Sequence, residues 1–277
     1  MIELCPPMLD FHFEVRKLED ENIPLFNKFN ELAVKNLLKE FFGIENDRSF
    51  EFYEVKRPGY GIDHSIPVFS PSPNHEYFTL RAFPKPELGK EPVSFNQAVY
   101  RRDRVKTLIT ALRDHYPATY FLDTNDFLLI LQRFVFSPVC RFENMREIKE
   151  LLEIIQLASS ACILLDFNEN HWLIKGDGRL IYTDTDYMGP GPLKDNQKAL
   201  EENLNQSMVF FNENNCQFLS NALNQLSRKE NGHKSFVKDF IKTLETFLLH
   251  WKSIDITSDS LKKKIICLEQ VVTNTKI

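Results

Sequence analysis

The residues best suited to chemistry lie in one short stretch, LLDFNENHWLIKGDGRLIYTDTDY, from Leu164 to Tyr187. It holds Asp166, Glu169, Asp177, Asp184 and Asp186, with Asn168, Asn170 and His171 among them, all embedded in apolar residues. Trp172–Lys175 and Arg179–Thr183 read as strands. Asp177-Gly178 between them is a short-hairpin signal, because such a turn wants positive φ. A two-residue loop there sets His171 across from Asp184. The hairpin then gathers Asp166, Asn170, His171, Asp184 and Asp186 at one end. Carboxylates held that close repel one another and so favour a cation or a basic partner. The bland alternative is that these are turn and cap residues, a role Asp and Asn often fill. A long apolar helix running straight into the loop, and acids recurring on both sides of it, weigh against that alternative.

The elements that must position this stretch follow from periodicity and breakers. Leu25, Phe29, Leu32, Leu38 and Phe41 approximate one helical face over 24–42, and Gly43 stops it. Phe50–Lys56, Ile66–Phe69 and Glu76–Phe83 read as strands separated by RPGYG and SPSPNH. A helix is expected from Ser94 to His115, then strands over Thr119–Leu122 and Phe127–Phe136. Three strands, one helix and two more strands is not a βαβ alternation. It describes a small, mainly antiparallel sheet carrying one helix. Ile148, Leu151, Leu152, Ile155 and Ala158 predict a buried helix over Glu147–Leu165. Further helices are expected at 193–211, 214–228, 234–251 and 258–273. A β-rich half followed by an α-rich half suggests two lobes joined near Phe136–Arg141.

Helix, Asp, a polar residue five positions on, hairpin and second Asp is an order that resembles the catalytic and metal loops of the protein kinase-like superfamily. That superfamily includes protein kinases and small-molecule kinases of the aminoglycoside-phosphotransferase type. Its loop reads D-x-x-x-x-N, with a metal-binding Asp about thirteen residues later. Asp166 matches the catalytic Asp, His171 stands at the Asn, and Asp184 matches the metal Asp, with DTD in place of D-F-G. GYGIDHSI (Gly59–Ile66) resembles a glycine-rich loop in which Gly59 and Gly61 fit and His64 replaces the third glycine. YFTLRAF resembles the strand that carries the phosphate-binding lysine, with Arg81 at that position. The Ser94–His115 helix then offers Asp103 as the acidic partner, nearly a turn late. The resemblance covers roughly Phe50 to Tyr187, and order and spacing carry it.

What the resemblance implies is an α+β, two-lobed protein kinase-like fold. Residues 1–136 would form a small antiparallel β-rich N-lobe with an N-terminal helix, a five-stranded sheet and one helix packed on it. Residues 137–277 would form a larger helical C-lobe carrying the hairpin. The implied cofactor is ATP with Mg²⁺ or Mn²⁺. Gly59, Gly61, Arg81 and Asp103 would serve the nucleotide, and Asp184, His171 and Asp186 the metal. Asp166 would orient the hydroxyl of a protein or small-molecule acceptor, and catalysis would be positioning and charge neutralisation.

The departures define a second class of function. No H-R-D precedes the loop, no A-P-E follows it, and the segment after Asp186 is short. Arg for Lys exchanges a compact ammonium for a rigid fork. His for Asn exchanges a hard oxygen for imidazole, which suits Mn²⁺ or Zn²⁺ better than Mg²⁺. Substitutions at His64, Arg81 and His171 support a pseudokinase, a nucleotide-sensing or protein-binding scaffold without phosphoryl transfer. Retention of Asp166 and Asp184 supports an enzyme. The D-x-D of nucleotide-sugar glycosyltransferases also fits DTD, but those enzymes need an alternating α/β fold.

Composition bounds the rest. The 277 residues are 43% hydrophobic and 26% charged with a net charge of −5, so a good core is available and nucleic acid or an anionic membrane is not the expected partner. Five scattered cysteines without a C-x-x-C pair are expected to be reduced thiols in a cytoplasmic setting. No apolar run is long enough to span a bilayer. No Sec-type signal is expected at the N-terminus, which leaves export without such a signal open. Arg101, Arg102, Arg104, Lys106 and Arg113 read as a solvated basic helix face, and His12 and His115 as ordinary surface or half-buried histidines.

Overall fold

A computed structural model describes residues 14–17, 31–43, 51–56, 65–70, 76–84, 93–123, 127–185, 193, 195–228, 231–252 and 259–275. The chain is mixed α+β and divides into two compact units. One comprises Met1–Ile109 with Tyr116–Val139, the other Thr110–His115 with Cys140–Ile277.

The first unit is built on an antiparallel sheet. Its strands are β1 (Glu14–Lys17), β2 (Glu51–Lys56), β3 (Ser65–Ser70), β4 (Phe78–Pro84), β5 (Thr119–Asp123) and β6 (Phe127–Arg133), in the order β1-β2-β3-β4-β6-β5. The sheet therefore has six strands where five are expected. The added edge strand, Glu14–Lys17, is too short to show a period in the sequence. α1 (Glu31–Phe42) packs Phe42 on Phe78 at 5.3 Å between ring centroids and Phe41 on Tyr120 at 6.0 Å. α2 (Val93–Leu112) sets Lys106 over the Phe121 ring at 5.5 Å. Tyr120 and Phe121 point to opposite faces, so the two helices cover opposite sides of the sheet. β6 between them is buried on both faces from Leu128 to Leu131, which is why FLLILQR reads as an unbroken apolar run.

The second unit is helical around one hairpin. α3 (Met145–Ser160) buries Ile148, Leu151, Leu152, Ile155 and Ala158, spaced at three and four. Asn144 caps it by accepting from Glu147 N at 3.1 Å. α4 (Asn196–Ser207) and α5 (Cys216–Ser227) pack on α3, while α6 (Asn231–Lys252) and α7 (Asp259–Asn274) complete the helical layer.

α3 ends five residues before the expected Leu165, for a defined reason. Cys162 takes φ 58°. Cys162 N then donates to Ser159 O at 2.9 Å and Ile163 N to Ala158 O at 2.9 Å. This is a Schellman cap built on a cysteine instead of the usual glycine.

A second correction concerns the thiols. Cys216 and Cys267 form a disulfide between α5 and α7, with Cα atoms 6.1 Å apart. Cys140 and Cys162 are free, and burial pushes the Cys140 thiol far above its ordinary range.

Candidate functional site

The Schellman cap releases the chain into a loop that carries Asp166. The carboxylate Oδ1 of Asp166 accepts from Asn168 N at 2.9 Å, and Asn168 Oδ1 accepts from Asn170 N at 3.1 Å. These Asx turns lead into a 3₁₀ turn over Glu169–His171. The backbone carbonyl of Asp166 accepts from Trp172 Nε1 at 3.1 Å. Behind the loop, Phe167 stacks on Trp172 at 5.4 Å and Phe142 on Phe210 at 4.5 Å. Asp166 is thus fixed by its own turn and by a wall of buried rings.

The hairpin pairs β7 (Trp172–Ile174) with β8 (Leu180–Tyr182), in the register Trp172↔Tyr182, Leu173↔Ile181 and Ile174↔Leu180. This is one residue off the expected pairing, because the loop holds three residues instead of two. Gly178 N donates to Lys175 O at 2.8 Å, Lys175 N donates to Arg179 O at 2.9 Å, and only Gly178 has positive φ, at 78°. That is the three-residue turn closed by a left-handed glycine. His171 therefore lies across from Thr183, whose N–H donates to His171 O at 2.9 Å, and not from Asp184. α3 holds the hairpin from outside. Arg146 donates to Asp177 O, and Glu150 Oε2 accepts from Leu180 N at 3.3 Å. His115, half-buried, places Nδ1 2.9 Å from Leu180 O.

Despite the shifted register, three of the expected site residues are linked. Tyr182 joins two of them, Asp166 and Asp184, and nothing in a strand tyrosine marks it in the sequence. Its hydroxyl accepts from Asp166 N at 2.7 Å and donates to Asp184 Oδ2 at 3.1 Å. His171 Nδ1 lies 3.2 Å from Asp166 Oδ2. That is ion-pair distance without hydrogen-bond alignment, and the buried Nδ1 has no hydrogen-bond partner. Asp166 and His171 are partly exposed, whereas Asp184 is buried at 3% exposure.

Arg81 lies on β4 opposite Ile130, which is opposite Phe121 on β5. It therefore shares the sheet face that α2 covers, and it is exposed. Asp103, on α2, is exposed and accepts from its neighbour Arg102 Nε at 3.0 Å. Gly59, Gly61, His64 and Asp186 lie outside the described residues. Arg104 is buried, so the expected basic face of α2 is not solvated throughout. Among the described residues no helix is long and apolar enough to cross a membrane.

The donors at the hairpin are two carboxylates and an imidazole. Among the described residues no group of three or more His, Cys, Asp or Glu side chains is placed to hold a metal ion. A Mg²⁺ ion bound with a nucleotide needs only one or two protein carboxylates, the phosphates and water filling the remaining positions. Asp184 supplies one such carboxylate; His171, an imidazole whose Nδ1 has no hydrogen-bond partner, suits Mn²⁺ better than Mg²⁺.

Compared with known proteins, the chain matches no family model and no curated protein.

Proposed function

We propose that the chain is an ATP-dependent phosphotransferase of the protein kinase-like kind, acting on a hydroxyl of a protein or small molecule. One observation carries this reading: the hydrogen-bonded line from Asp166 N through the Tyr182 hydroxyl to Asp184 Oδ2. It ties together the two acids that the resemblance assigns to the acceptor and to the metal. In this reading Asp166 accepts a hydrogen bond from the acceptor hydroxyl and aims its oxygen at the γ-phosphorus. The new P–O bond forms as the bond to the β-phosphate oxygen breaks. ADP leaves, and the hydroxyl proton passes to Asp166 and on to water. Asp184, with His171 and with Asp186 outside the described residues, would hold Mg²⁺ or Mn²⁺, which would neutralise phosphate charge. The resemblance assigns the α- and β-phosphates to Arg81, whose two-pronged guanidinium would pair them, and to Gly59 and Gly61, which lie outside the described residues.

A second reading is favoured by the depth of Asp184. A carboxylate at 3% exposure that already accepts from Tyr182 is suited to holding a loop in a pseudokinase scaffold. ATP turnover with Mg²⁺ or Mn²⁺ separates the two. Metal-dependent turnover that Asp166→Ala removes supports the enzyme, whereas a folded chain that neither binds nor turns over ATP supports the scaffold.

A further inference from the structure

Asn203 on α4 is fully buried, at 0% exposure. Its Oδ1 accepts from Leu165 N at 2.9 Å. Its Nδ2 donates to Ile163 O at 2.8 Å and to Ser159 Oγ at 3.1 Å. One amide thus answers a backbone donor and a backbone acceptor in the segment that leads directly into Asp166. That segment belongs to no helix or strand, and its buried polar groups need partners from elsewhere. An apolar side chain would fill the same space without desolvating an amide, but would leave Leu165 N and Ile163 O unpaired. The next N–H along, that of Asp166, is taken by Tyr182. The loop is therefore held from two sides, by Asn203 one residue before Asp166 and by Tyr182 at Asp166 itself.

We infer that Asn203 is a positioning residue for Asp166, clamping the Ile163–Leu165 backbone so that the carboxylate keeps its aim. The clamp stands on the hydrogen bonds alone; its part in catalysis rests on the phosphotransferase reading. Ser159 supplies the control. Its hydroxyl shares the same Nδ2 but lies at the end of α3 and does not hold the Asp166 segment.

The test is ATP turnover with Mn²⁺ and Mg²⁺, with thermal melting, on Asn203→Leu, Asn203→Asp and Ser159→Ala. Asn203→Leu is expected to lower kcat about 10²-fold, the scale of a small misplacement of a reacting group. KM for ATP should hold, because Asp166 faces the acceptor. Asn203→Asp keeps an acceptor for Leu165 N, so its kcat falls between wild type and Asn203→Leu. Ser159→Ala keeps wild-type kcat. Unchanged kcat in a folded Asn203 variant, or an equal loss in Ser159→Ala, overturns the assignment. If Asn203→Leu does not fold, the comparison of Asn203→Asp with Ser159→Ala decides on the same criterion. If the wild-type chain turns over no ATP, the phosphotransferase reading fails instead. Amide exchange then decides the clamp: faster exchange at Leu165 in the Asn203 variants supports it, and unchanged exchange overturns it.

Discussion

Tyr182 donates its phenolic proton to Asp184 Oδ2 at 3.1 Å, inside a site where the carboxylate is almost fully covered. The phenolic oxygen also accepts from Asp166 N, so one atom joins Asp166 to Asp184, eighteen positions further along the chain. The ring itself is fully buried against Trp172, with centroids 4.8 Å apart. Shape and hydroxyl can therefore be separated by mutation.

Tyr182→Phe keeps the ring and removes only the bridge. Asp166 N and Asp184 Oδ2 each lose a partner, and the expected loss of stability is about 1–3 kcal/mol. Chemical denaturation of both proteins measures it. Stability equal to wild type would mean that the hydroxyl does not bridge the loops in solution.

Asp184→Asn tests the proposed metal end of the site. The amide keeps the shape and an acceptor for Tyr182 but loses the anionic oxygen that a hard cation needs. Thermal stabilisation by ATP with Mg²⁺ or Mn²⁺ should disappear in the mutant, and the wild type should respond more to Mn²⁺ if His171 is a ligand. Nucleotide stabilisation that is the same in both proteins would remove Asp184 from the metal site.

The Schellman cap makes a prediction about backbone conformation. Cys162 holds φ 58°, where a side chain costs roughly 1–2 kcal/mol and glycine costs little. Cys162→Gly should leave stability equal or higher by about 1 kcal/mol, despite losing the Sγ contact to Asn196 Oδ1 at 2.7 Å. Cys162→Val should destabilise, because a β-branched residue tolerates that region worst. Melting temperatures in the opposite order would argue against the left-handed cap.

These two features also mark where reading from sequence ran out. Long, strongly periodic elements were legible: β6 from its apolar run, α3 from Ile148, Leu151, Leu152, Ile155 and Ala158. The end of α3 was not, because the cap uses cysteine where glycine is the usual signal, and apolar Ile163–Leu165 prolongs the helical pattern. The hairpin was legible from Asp177-Gly178, but loops of two and three residues carry the same dipeptide, and the choice shifts every pair by one. Tyr182 and Asn203 carry no local signal at all. Their partners lie 16 and 38 residues away, and each reads in sequence as an ordinary strand or helix position.

The disulfide is the clearest departure from expectation, since Cys216 and Cys267 are 51 residues apart with no motif between them. Closing a loop of that length contributes roughly 4 kcal/mol in the chain-entropy picture. Alkylation of the denatured, unreduced chain should modify Cys140 and Cys162 and spare Cys216 and Cys267. Reductant, or Cys267→Ser, should lower the melting temperature. Five alkylated cysteines in freshly purified protein, with no effect of reductant, would restore the expectation of free thiols.

ATP turnover by the wild-type chain and by Asp166→Ala, assayed with Mg²⁺ and with Mn²⁺ alongside melting curves of the same samples, tests the proposed function most directly. In the proposed reading Asp166 orients the acceptor and not the nucleotide. The mutant should therefore stay folded and bind ATP as wild type does, while turnover falls roughly 10²–10⁴-fold, the range for a positioned acid–base group. ADP formation that survives Asp166→Ala undiminished in folded protein would contradict the mechanism.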